Sequence, residues 1–237
     1  IPHFEKMLYD NGPLTSIMCD AFRVFGDQIY LTKAIETCDW AISDMQNDNG
    51  GFSSTIDADS EGKEGKYYVW SDKELGELLS DEELNVFKKV YVVYDKPNFE
   101  GTYHLHITQN NIQEFSRNID IIESILAKLK KQRRNRVPPG TDRKILTSWN
   151  CLMIKGLLDT YKITNETKYY ESASKSFNFI KNKLWDGSSL YACYHEQPEF
   201  SAYLDDYAFL SHVCIEFLKL QWDQEIYIFL LSLVDIC

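Results

Sequence analysis

The chain has 237 residues, of which 44% are hydrophobic and 14% aromatic, enough to bury the core of one large or two small globular domains. Its formal charge of −11 argues against nucleic acid and anionic membrane surfaces as partners, because both attract basic protein faces. We therefore expect no nucleic acid and no membrane partner. A neutral polar ligand such as a sugar is compatible with this acidic composition.

The chain opens with two amphipathic helices joined by a tight turn. Apolar residues recur with helical spacing over residues 14–25, Gly26 ends that helix, and Asp27 can cap the next, whose apolar face covers residues 30–45. Pro13 is placed in the first turn of the first helix, where proline is tolerated. Two helices connected this tightly pack as an antiparallel helical hairpin.

A β-hairpin-like excursion follows the second helix. Two short β-prone runs, residues 52–56 and 67–70, flank an acidic tip that contains glycine. The tip residues Asp57, Asp59 and Glu61 copy the opening of a calcium-binding loop. Because its twelfth position is a tyrosine where a bidentate glutamate is needed, we favour a solvated acidic turn.

The middle of the chain predicts further helices. Ser71 and Ser80 each open a Ser-x-x-Glu capping box, and residues 112–129 carry the apolar spacing of a long helix. Residues 103–107 alternate enough for a short strand. The basic run 128–136 is interpreted as a solvated helix end whose charge complements the helix dipole.

The hairpin pattern returns in the second half. The interval from Asn11 to Tyr30 equals that from Asn150 to Tyr169, and a fainter third copy begins near Tyr207. Repeated helical hairpins without a fixed short period predict a solenoid or a closed α-toroid. The β-like excursions around Phe52 and Leu190 favour the toroid, in which all inner helices point one way and their starts surround one cleft.

The cysteines are far apart and form no disulfide framework; they are Cys19, Cys38, Cys151, Cys193, Cys214 and Cys237. We interpret most of them as buried thiols of a cytoplasmic protein. Cys193 with His195, and His212 with Cys214, suggest zinc, but their one-residue gaps are not the usual ligand spacing. No metal and no cofactor are predicted. The apolar run 226–234 is too short to span a bilayer.

Several long motifs occur in order along the chain, at residues 2–11, 50–52, 57–62, 64–70, 98–101, 146–153 and 203–209. Together they resemble the family of thioredoxin-domain-containing proteins that includes the spermatogenesis-associated members and many bacterial relatives. One departure is Cys151, which stands where the family usually has glycine after Trp-Asn.

The resemblance implies an all-α fold, a partial (α/α)6 toroid of helical hairpins with short β-hairpin excursions, similar to N-acylglucosamine 2-epimerase and the six-hairpin glycosidases. Residues 1–237 then form a single incomplete toroid domain with about four of the six hairpins. An N-terminal thioredoxin-like domain and the closing hairpins are expected in the full-length protein, and the thioredoxin-like domain is an expected partner.

The candidate site residues lie in these motifs, where the starts of the inner helices should converge. The catalytic candidates are His3, Glu5, Asp10, Asp205 and Asp206. The substrate-binding candidates are Tyr9, Asn11, Asp57, Asp59, Trp149, Asn150 and Tyr207. Carboxylates can supply the acid and base of sugar chemistry, and aromatic faces can stack on a sugar ring.

Structural interpretations stand beside each of these. Asp205 and Asp206 can cap the helix that follows, Trp149 can anchor a core, and His104 and His195 can be ordinary strand and loop residues. Three functions stay open. They are a carbohydrate-active enzyme of isomerase, epimerase or hydrolase type with a sugar-like substrate, a noncatalytic scaffold for the thioredoxin-like domain, and a terpenoid-type toroid.

Overall fold

The computed structural model describes residues 3–91 and 96–236, and the following bounds refer to them. The helices are α1 (Leu8–Phe25), α2 (Gln28–Asp44), α3 (Asp72–Leu78), α4 (Asp81–Tyr91), α5 (Ile112–Arg117), α6 (Ile119–Arg133), α7 (Thr147–Thr164), α8 (Thr167–Lys183), α9 (Leu204–Leu220) and α10 (Gln224–Val234). The strands are β1 (Lys6–Met7), β2 (Thr55–Ile56), β3 (Asp59–Ser60), β4 (Lys63–Glu64), β5 (Thr141–Asp142), β6 (Ile145–Leu146), β7 (Tyr191–His195) and β8 (Gln197–Ser201).

These elements form two compact units. Unit 1 comprises residues 1–6 and 57–140, and unit 2 comprises residues 7–56 and 141–237. Among the helices given above, none is both long and apolar enough to cross a membrane.

Unit 2 consists of three helical hairpins, α1/α2, α7/α8 and α9/α10, with α7 packed between α1 and α9. The predicted hairpins are confirmed. Gly26 ends α1 in the left-handed region at φ 71°, and the Asp27 carboxylate accepts the Ile29 N–H at 3.0 Å. The apolar faces of the helices meet in one core, which includes the fully buried Tyr169 and Leu157.

Helices α1 and α7 approach each other closely enough for their backbones to touch. A methyl group added at Gly12 would overlap the Leu152 carbonyl, and one added at Gly156 would lie 2.8 Å from the Gly12 oxygen. Further along both helices, Cys19 Sγ lies 3.5 Å from Thr160 Oγ1. The contacts advance toward the C-terminus in both helices, so α1 and α7 are parallel.

Helices α7 and α9 are fastened to each other by charge as well as by apolar packing. Buried Glu216 on α9 is ion-paired with Lys162 of α7, and with Lys219 at 2.8 Å. Burial alone raises the pKa of Glu216, but the hydrogen bonds from both lysines outweigh it and lower that pKa to about 2. The carboxylate therefore stays ionised at neutral pH and keeps its partners.

The start of α1 differs from the prediction, which placed Pro13 in its first turn. Helix α1 begins at Leu8 and α7 at Thr147, each directly after an extended residue of a short strand and without a side-chain cap. Asp10 and Asn11 therefore lie inside α1 and do not cap it. Pro13 is the sixth helical residue and not part of the first turn. Local sequence gave no signal for these starts, because no capping side chain marks them.

Short antiparallel strands connect the hairpins of unit 2. Strand β2 pairs with β5 through Thr55 opposite Asp142, and β6 pairs with β7 through Leu146 opposite Cys193. Strands β7 and β8 form the excursion that was expected around Leu190, which is confirmed.

Unit 1 contains α3 to α6 and the β3–β4 hairpin around a second core. Both predicted capping boxes are confirmed. The Glu74 carboxylate accepts the Ser71 N–H at 2.9 Å, and the Glu83 carboxylate accepts the Ser80 N–H at 2.9 Å. The core includes the buried Phe87 and neighbouring apolar residues of α4 and α6.

Three local predictions in unit 1 were wrong. Residues 67–70 form no strand: Tyr67 and Tyr68 lie in a turn after Gly65, which is in the left-handed region at φ 70°. Residues 103–107 contribute only an isolated bridge between Tyr103 and Trp70. The long helix breaks at Asn118, whose side chain donates to the Glu114 carbonyl at 2.8 Å and so competes with helix propagation.

The basic run of unit 1 is not simply a solvated helix end, which corrects the prediction. The Arg136 side chain donates to the backbone oxygens of Tyr67 and Val69 at 2.9 and 2.8 Å and lies 4.0 Å from the Trp70 ring centroid. Lys128 is paired with Glu83 at 2.6 Å. Individual residues of the run thus have different partners.

Replacement Gly12→Ala tests the close approach of α1 and α7. Because the added methyl group meets backbone and not a flexible side chain, we expect a loss of about 2 kcal/mol or more in the free energy of unfolding. Urea denaturation followed by circular dichroism measures this loss. The matched control is Gly76→Ala in α3, where an added methyl group meets nothing within 4 Å; this change should be neutral or stabilising. Equal stability of the two variants would contradict the close approach.

Replacement Glu83→Gln tests the ionic contact between α4 and α6. The Lys128 hydrogen bond is the main cause that lowers the pKa of Glu83 from 4.5 to about 2. The stabilisation is therefore complete above about pH 4.5 and is lost as the pH falls toward 2. At pH 7 the free energy of unfolding of the variant should be lower on the order of 2 kcal/mol. Partial solvation of Lys128 keeps the loss from being larger.

Urea denaturation of wild type and variant at pH 7, 5 and 3.5 checks this expectation. The difference in the free energy of unfolding between wild type and Glu83→Gln should be smaller at pH 3.5 than at pH 7. Glu82→Gln, at an exposed neighbouring position, serves as the control and should show no such narrowing. A difference between Glu83→Gln and wild type that is constant with pH would refute the contact.

Candidate functional site

The first turns of α1, α7 and α9 meet at one end of unit 2. Helices α1 and α7 are parallel, and α7 and α9 are parallel too, because Ser148 meets Asp206 near their starts and Lys162 meets Glu216 near their ends. We call this end the helix-start rim. It comprises Tyr9, Asp10, Asn11, Trp149, Asn150, Asp205, Asp206 and Tyr207, so unit 2 brings together the predicted site residues that it contains.

Asp206 is the most buried carboxylate of the rim, with 2% of its surface exposed. Its Oδ1 accepts the Ser148 N–H at 2.9 Å and its Oδ2 accepts the Tyr203 N–H at 2.9 Å. Burial raises the pKa of Asp206, and these hydrogen bonds oppose the rise. One carboxylate thus accepts hydrogen bonds from backbone N–H groups at the starts of both α7 and α9, where the helix dipoles also favour negative charge.

Asn150 is fully buried and ties the rim to the loop that follows α2. Its Oδ1 accepts the Phe52 N–H at 2.7 Å, and its Nδ2 donates to the carbonyls of Phe52 and Leu146 at 3.1 and 2.9 Å. Ser176 also donates to Oδ1 at 3.1 Å. The amide therefore substitutes for a strand partner of the loop backbone.

Two other rim residues have similar structural contacts. The Tyr207 hydroxyl accepts the Leu190 N–H at 3.0 Å and so holds the start of the β7–β8 hairpin. Asn11 donates from Nδ2 to the Met7 carbonyl at 2.7 Å. Both side chains therefore fasten backbone at the ends of regular elements, Met7 before α1 and Leu190 before β7.

The exposed part of the rim has a different composition. The rings of Tyr9 and Trp149 meet edge to face with centroids 4.8 Å apart, and Tyr9 is 39% exposed. Asp10 and Asp205 are exposed carboxylates in the first turns of α1 and α9. The rim therefore presents aromatic surface and carboxylates to solvent, a composition that can bind a polar ligand with apolar faces.

The other predicted site residues lie in unit 1. His3 Nε2 lies 3.2 Å from Glu5 Oε2, and His3 is exposed. Asp57 Oδ1 accepts the Asp59 N–H at 3.0 Å, which forms an Asx turn before the β3–β4 hairpin. That these four residues act together with the rim stays a prediction.

Unit 2 also contains a polar cavity of about 610 Å³ that the sequence did not predict. It is lined by the loop after α2 and the tip of the β7–β8 hairpin, including Asn47, Asp48, Arg143, His195 and Glu196. In the sequence, residues 47–51 indicated only a helix break and His195 only a loop position. Two turns that are remote along the chain meet here, and neither carries a local signal for the other.

The cysteines that the structure describes contribute no exposed thiol to the rim. Cys19, Cys38, Cys151, Cys193 and Cys214 are free and buried, as expected, while Cys237 lies outside the described residues. Burial raises the pKa of Cys38 and of Cys214 to about 12, so both stay protonated. Across residues 3–91 and 96–236, no group of three or more His, Cys, Asp or Glu side chains could hold a metal ion.

The fold is similar to that of a solved sugar epimerase. Cellobiose 2-epimerase from Bacillus thermoamylovorans superposes with a TM-score of 0.57, covering 98% of this chain and 44% of that chain at 8% identity. An all-α fold of helical hairpins, part of an (α/α)6 toroid with short β excursions, is thereby confirmed.

Two relatives by sequence come from Homo sapiens and Caenorhabditis elegans. The chain is 28% identical over 256 residues to spermatogenesis-associated protein 20 of Homo sapiens, and 29% identical over 259 residues to an uncharacterized protein of Caenorhabditis elegans. These matches cover 89% and 91% of this chain but only 32% and 35% of the relatives, so it spans about a third of their length. No family model matches the chain. The resemblance to spermatogenesis-associated proteins that the motifs predicted is confirmed, and the thioredoxin-like domain stays a prediction.

Replacement Asp206→Asn tests whether this carboxylate holds the two helix starts. The amide keeps one acceptor oxygen but turns an N–H₂ group toward a backbone N–H donor. We expect the free energy of unfolding to fall by about 3 kcal/mol, since hydrogen bonds to a charged group are lost in a buried place. Asp205→Asn, at the exposed neighbouring position, should change it by less than about 0.5 kcal/mol. Urea denaturation compares the two variants, and equal stabilities would rule out the proposed contact.

Proposed function

We propose that this chain is the sugar-processing part of a carbohydrate-active enzyme, of sugar epimerase or isomerase type or of glycoside hydrolase type. The substrate is a sugar that binds at the helix-start rim of unit 2. The likeness in fold to cellobiose 2-epimerase supports the class of ligand, and the relatives' names do not assign an activity.

The observation that carries the proposal is the contact of the exposed Tyr9 with the partly buried Trp149, beside the exposed carboxylates Asp10 and Asp205. Aromatic rings pack against the C–H faces of a pyranose, while carboxylates accept hydrogen bonds from its hydroxyl groups. Trp149 lies in the first turn of α7, and the position of α7 is fixed by its contact with Gly12 and by its hydrogen bond to Asp206. The binding surface is thus held by rigid helices and not by loops.

The rim carboxylates can supply the proton transfers of either reaction type. In hydrolysis one carboxyl group protonates the leaving oxygen while another activates water or attacks the anomeric carbon. In epimerisation a base removes the proton from the carbon that inverts. Asp10 and Asp205 are exposed enough to reach a substrate, and Asp206 positions Asp205 through the start of α9. Participation of His3 and Glu5 from unit 1 remains part of the proposal.

A second candidate is a noncatalytic toroid that serves as scaffold for a thioredoxin-like domain of the full-length protein. It is favoured by the structural contacts of Asp206, Asn150 and Tyr207, which are predicted site residues. It is also favoured by the exposure of Phe200 and Tyr203, at 68% and 69%. The single incomplete toroid domain and the cytoplasmic location expected from the sequence belong to both proposals.

Calorimetric titration of the chain with cellobiose and a panel of mono- and disaccharides tests sugar binding at the rim. Replacements Trp149→Ala and Tyr9→Ser should each weaken binding about tenfold, because stacking area is lost. The matched control is Trp222→Ala. Trp222 is 62% exposed and follows α9 at its far end, so this change should leave the affinity unaltered.

A further variant, Asp205→Asn, distinguishes the two candidates. An enzyme should lose turnover of the bound sugar in Asp205→Asn while binding is retained, which chromatography of the product mixture measures. Absence of binding to every sugar would contradict the assignment of the rim as a sugar-binding site. A loss of affinity in Trp222→Ala equal to that in Trp149→Ala would contradict it too.

A further inference from the structure

Unit 1 contains a cavity of about 420 Å³ whose charge is opposite to that of the whole chain. The sequence has 36 acidic and 25 basic residues. The cavity is nevertheless lined by basic, aromatic and aliphatic side chains and by no carboxylate; its lining residues are His3, Phe4, Lys6, Tyr68, Trp70, His104, Leu105, Leu126, Leu129, Lys130 and Arg133. A local concentration of cations in an acidic protein favours an anionic ligand.

Arg133 is the main observation. Its Nε atom is buried and has no hydrogen-bond acceptor among the described residues, although buried guanidinium donors are normally paired. Its guanidinium carbon lies 5.6 and 5.7 Å from the ring centroids of Tyr67 and Tyr68, which hold it at the cavity wall. A ligand oxygen beside Nε would supply the acceptor that the protein does not.

Lys130 lies three residues earlier on the same face of α6 and also lines the cavity. Within residues 3–91 and 96–236 it forms no ion pair, whereas Lys128 is paired with Glu83 and Arg136 with Glu74, at 2.6 and 2.8 Å. Glu83 and Glu74 therefore neutralise Lys128 and Arg136, and the two α6 cations that line the cavity, Lys130 and Arg133, have no carboxylate partner among the described residues. The carboxylate of Glu5 is engaged with His3.

The remaining walls restrict what the ligand can be. The ring of Tyr68 is already in contact with Phe4 and with the Lys6 ammonium group, and Trp70 is 2% exposed beneath Arg136. Neither ring offers a free face for stacking, so recognition rests on charge. The aliphatic side chains, such as Leu126 and Leu129, leave room for a small organic group beside the anion.

We propose that this cavity is a binding site for a small organic phosphate, a phosphate monoester whose dianion lies between Arg133 and Lys130. The double negative charge matches the two cations, and the planar guanidinium offers donors in the geometry that phosphate oxygens accept. The site uses none of the rim residues of unit 2, and it does not rest on the sugar chemistry proposed for them.

Calorimetric titration with inorganic phosphate and phenyl phosphate, at constant ionic strength, tests the site on the 237-residue chain. Phenyl phosphate should bind more tightly than inorganic phosphate, because its ring covers the leucine wall. Replacements Arg133→Gln and Lys130→Gln should each weaken binding roughly tenfold or more. Lys130 is exposed, so its variant keeps the test valid if Arg133→Gln fails to fold.

The matched controls are Lys131→Gln and Arg134→Gln, which remove the same charge at exposed positions of the same helix end that do not line the cavity. They should leave the affinity unchanged. An equal loss in all four variants would show general charge attraction and overturn the site. Undetectable binding of both phosphates, or equal binding of benzoate and phenyl phosphate, would also overturn the assignment.

Discussion

The backbone contact between α1 and α7 is the constraint on which unit 2 depends. Gly12 and Gly156 let the two helices touch at the level of their peptide groups, and any side chain there would push them apart. Since α7 also packs on α8 and α9, a displacement of α1 would spread through all three hairpins. The same contact fixes the distance at which Tyr9 and Trp149 meet, so the geometry of the rim follows from two glycines.

Hydrogen bonding divides the rim into a structural part and an accessible part. Asp206 and Asn150 are buried and have their polar atoms engaged with backbone, as expected where groups cannot reach water. Asp10 and Asp205 are exposed and are the carboxylates that a ligand can reach. In the function that we propose, the buried carboxylate of Asp206 therefore holds the start of α9, and the exposed Asp205 faces the ligand.

Charge in unit 1 is distributed residue by residue along one helix end. Glu83 and Glu74 neutralise Lys128 and Arg136, while Lys130 and Arg133 remain at a cavity without carboxylates. Because a helix separates neighbouring residues by about 100°, one basic run can supply both structural ion pairs and a ligand site. Net charge alone could not have indicated this, because it averages over the whole surface.

Residues a few positions apart in the sequence predict the helical hairpins, their stops and their capping boxes, including those at Gly26 and Ser71. The sequence motifs also contain the residues that meet at the rim. Long-range contacts, by contrast, place the start of α1 at Leu8, join two helices through Asp206 and leave a buried Arg133 donor without an acceptor among the described residues. Each of these three findings depends on burial or on contacts between residues far apart in the chain. Burial and long-range contacts are not encoded in local residue spacing.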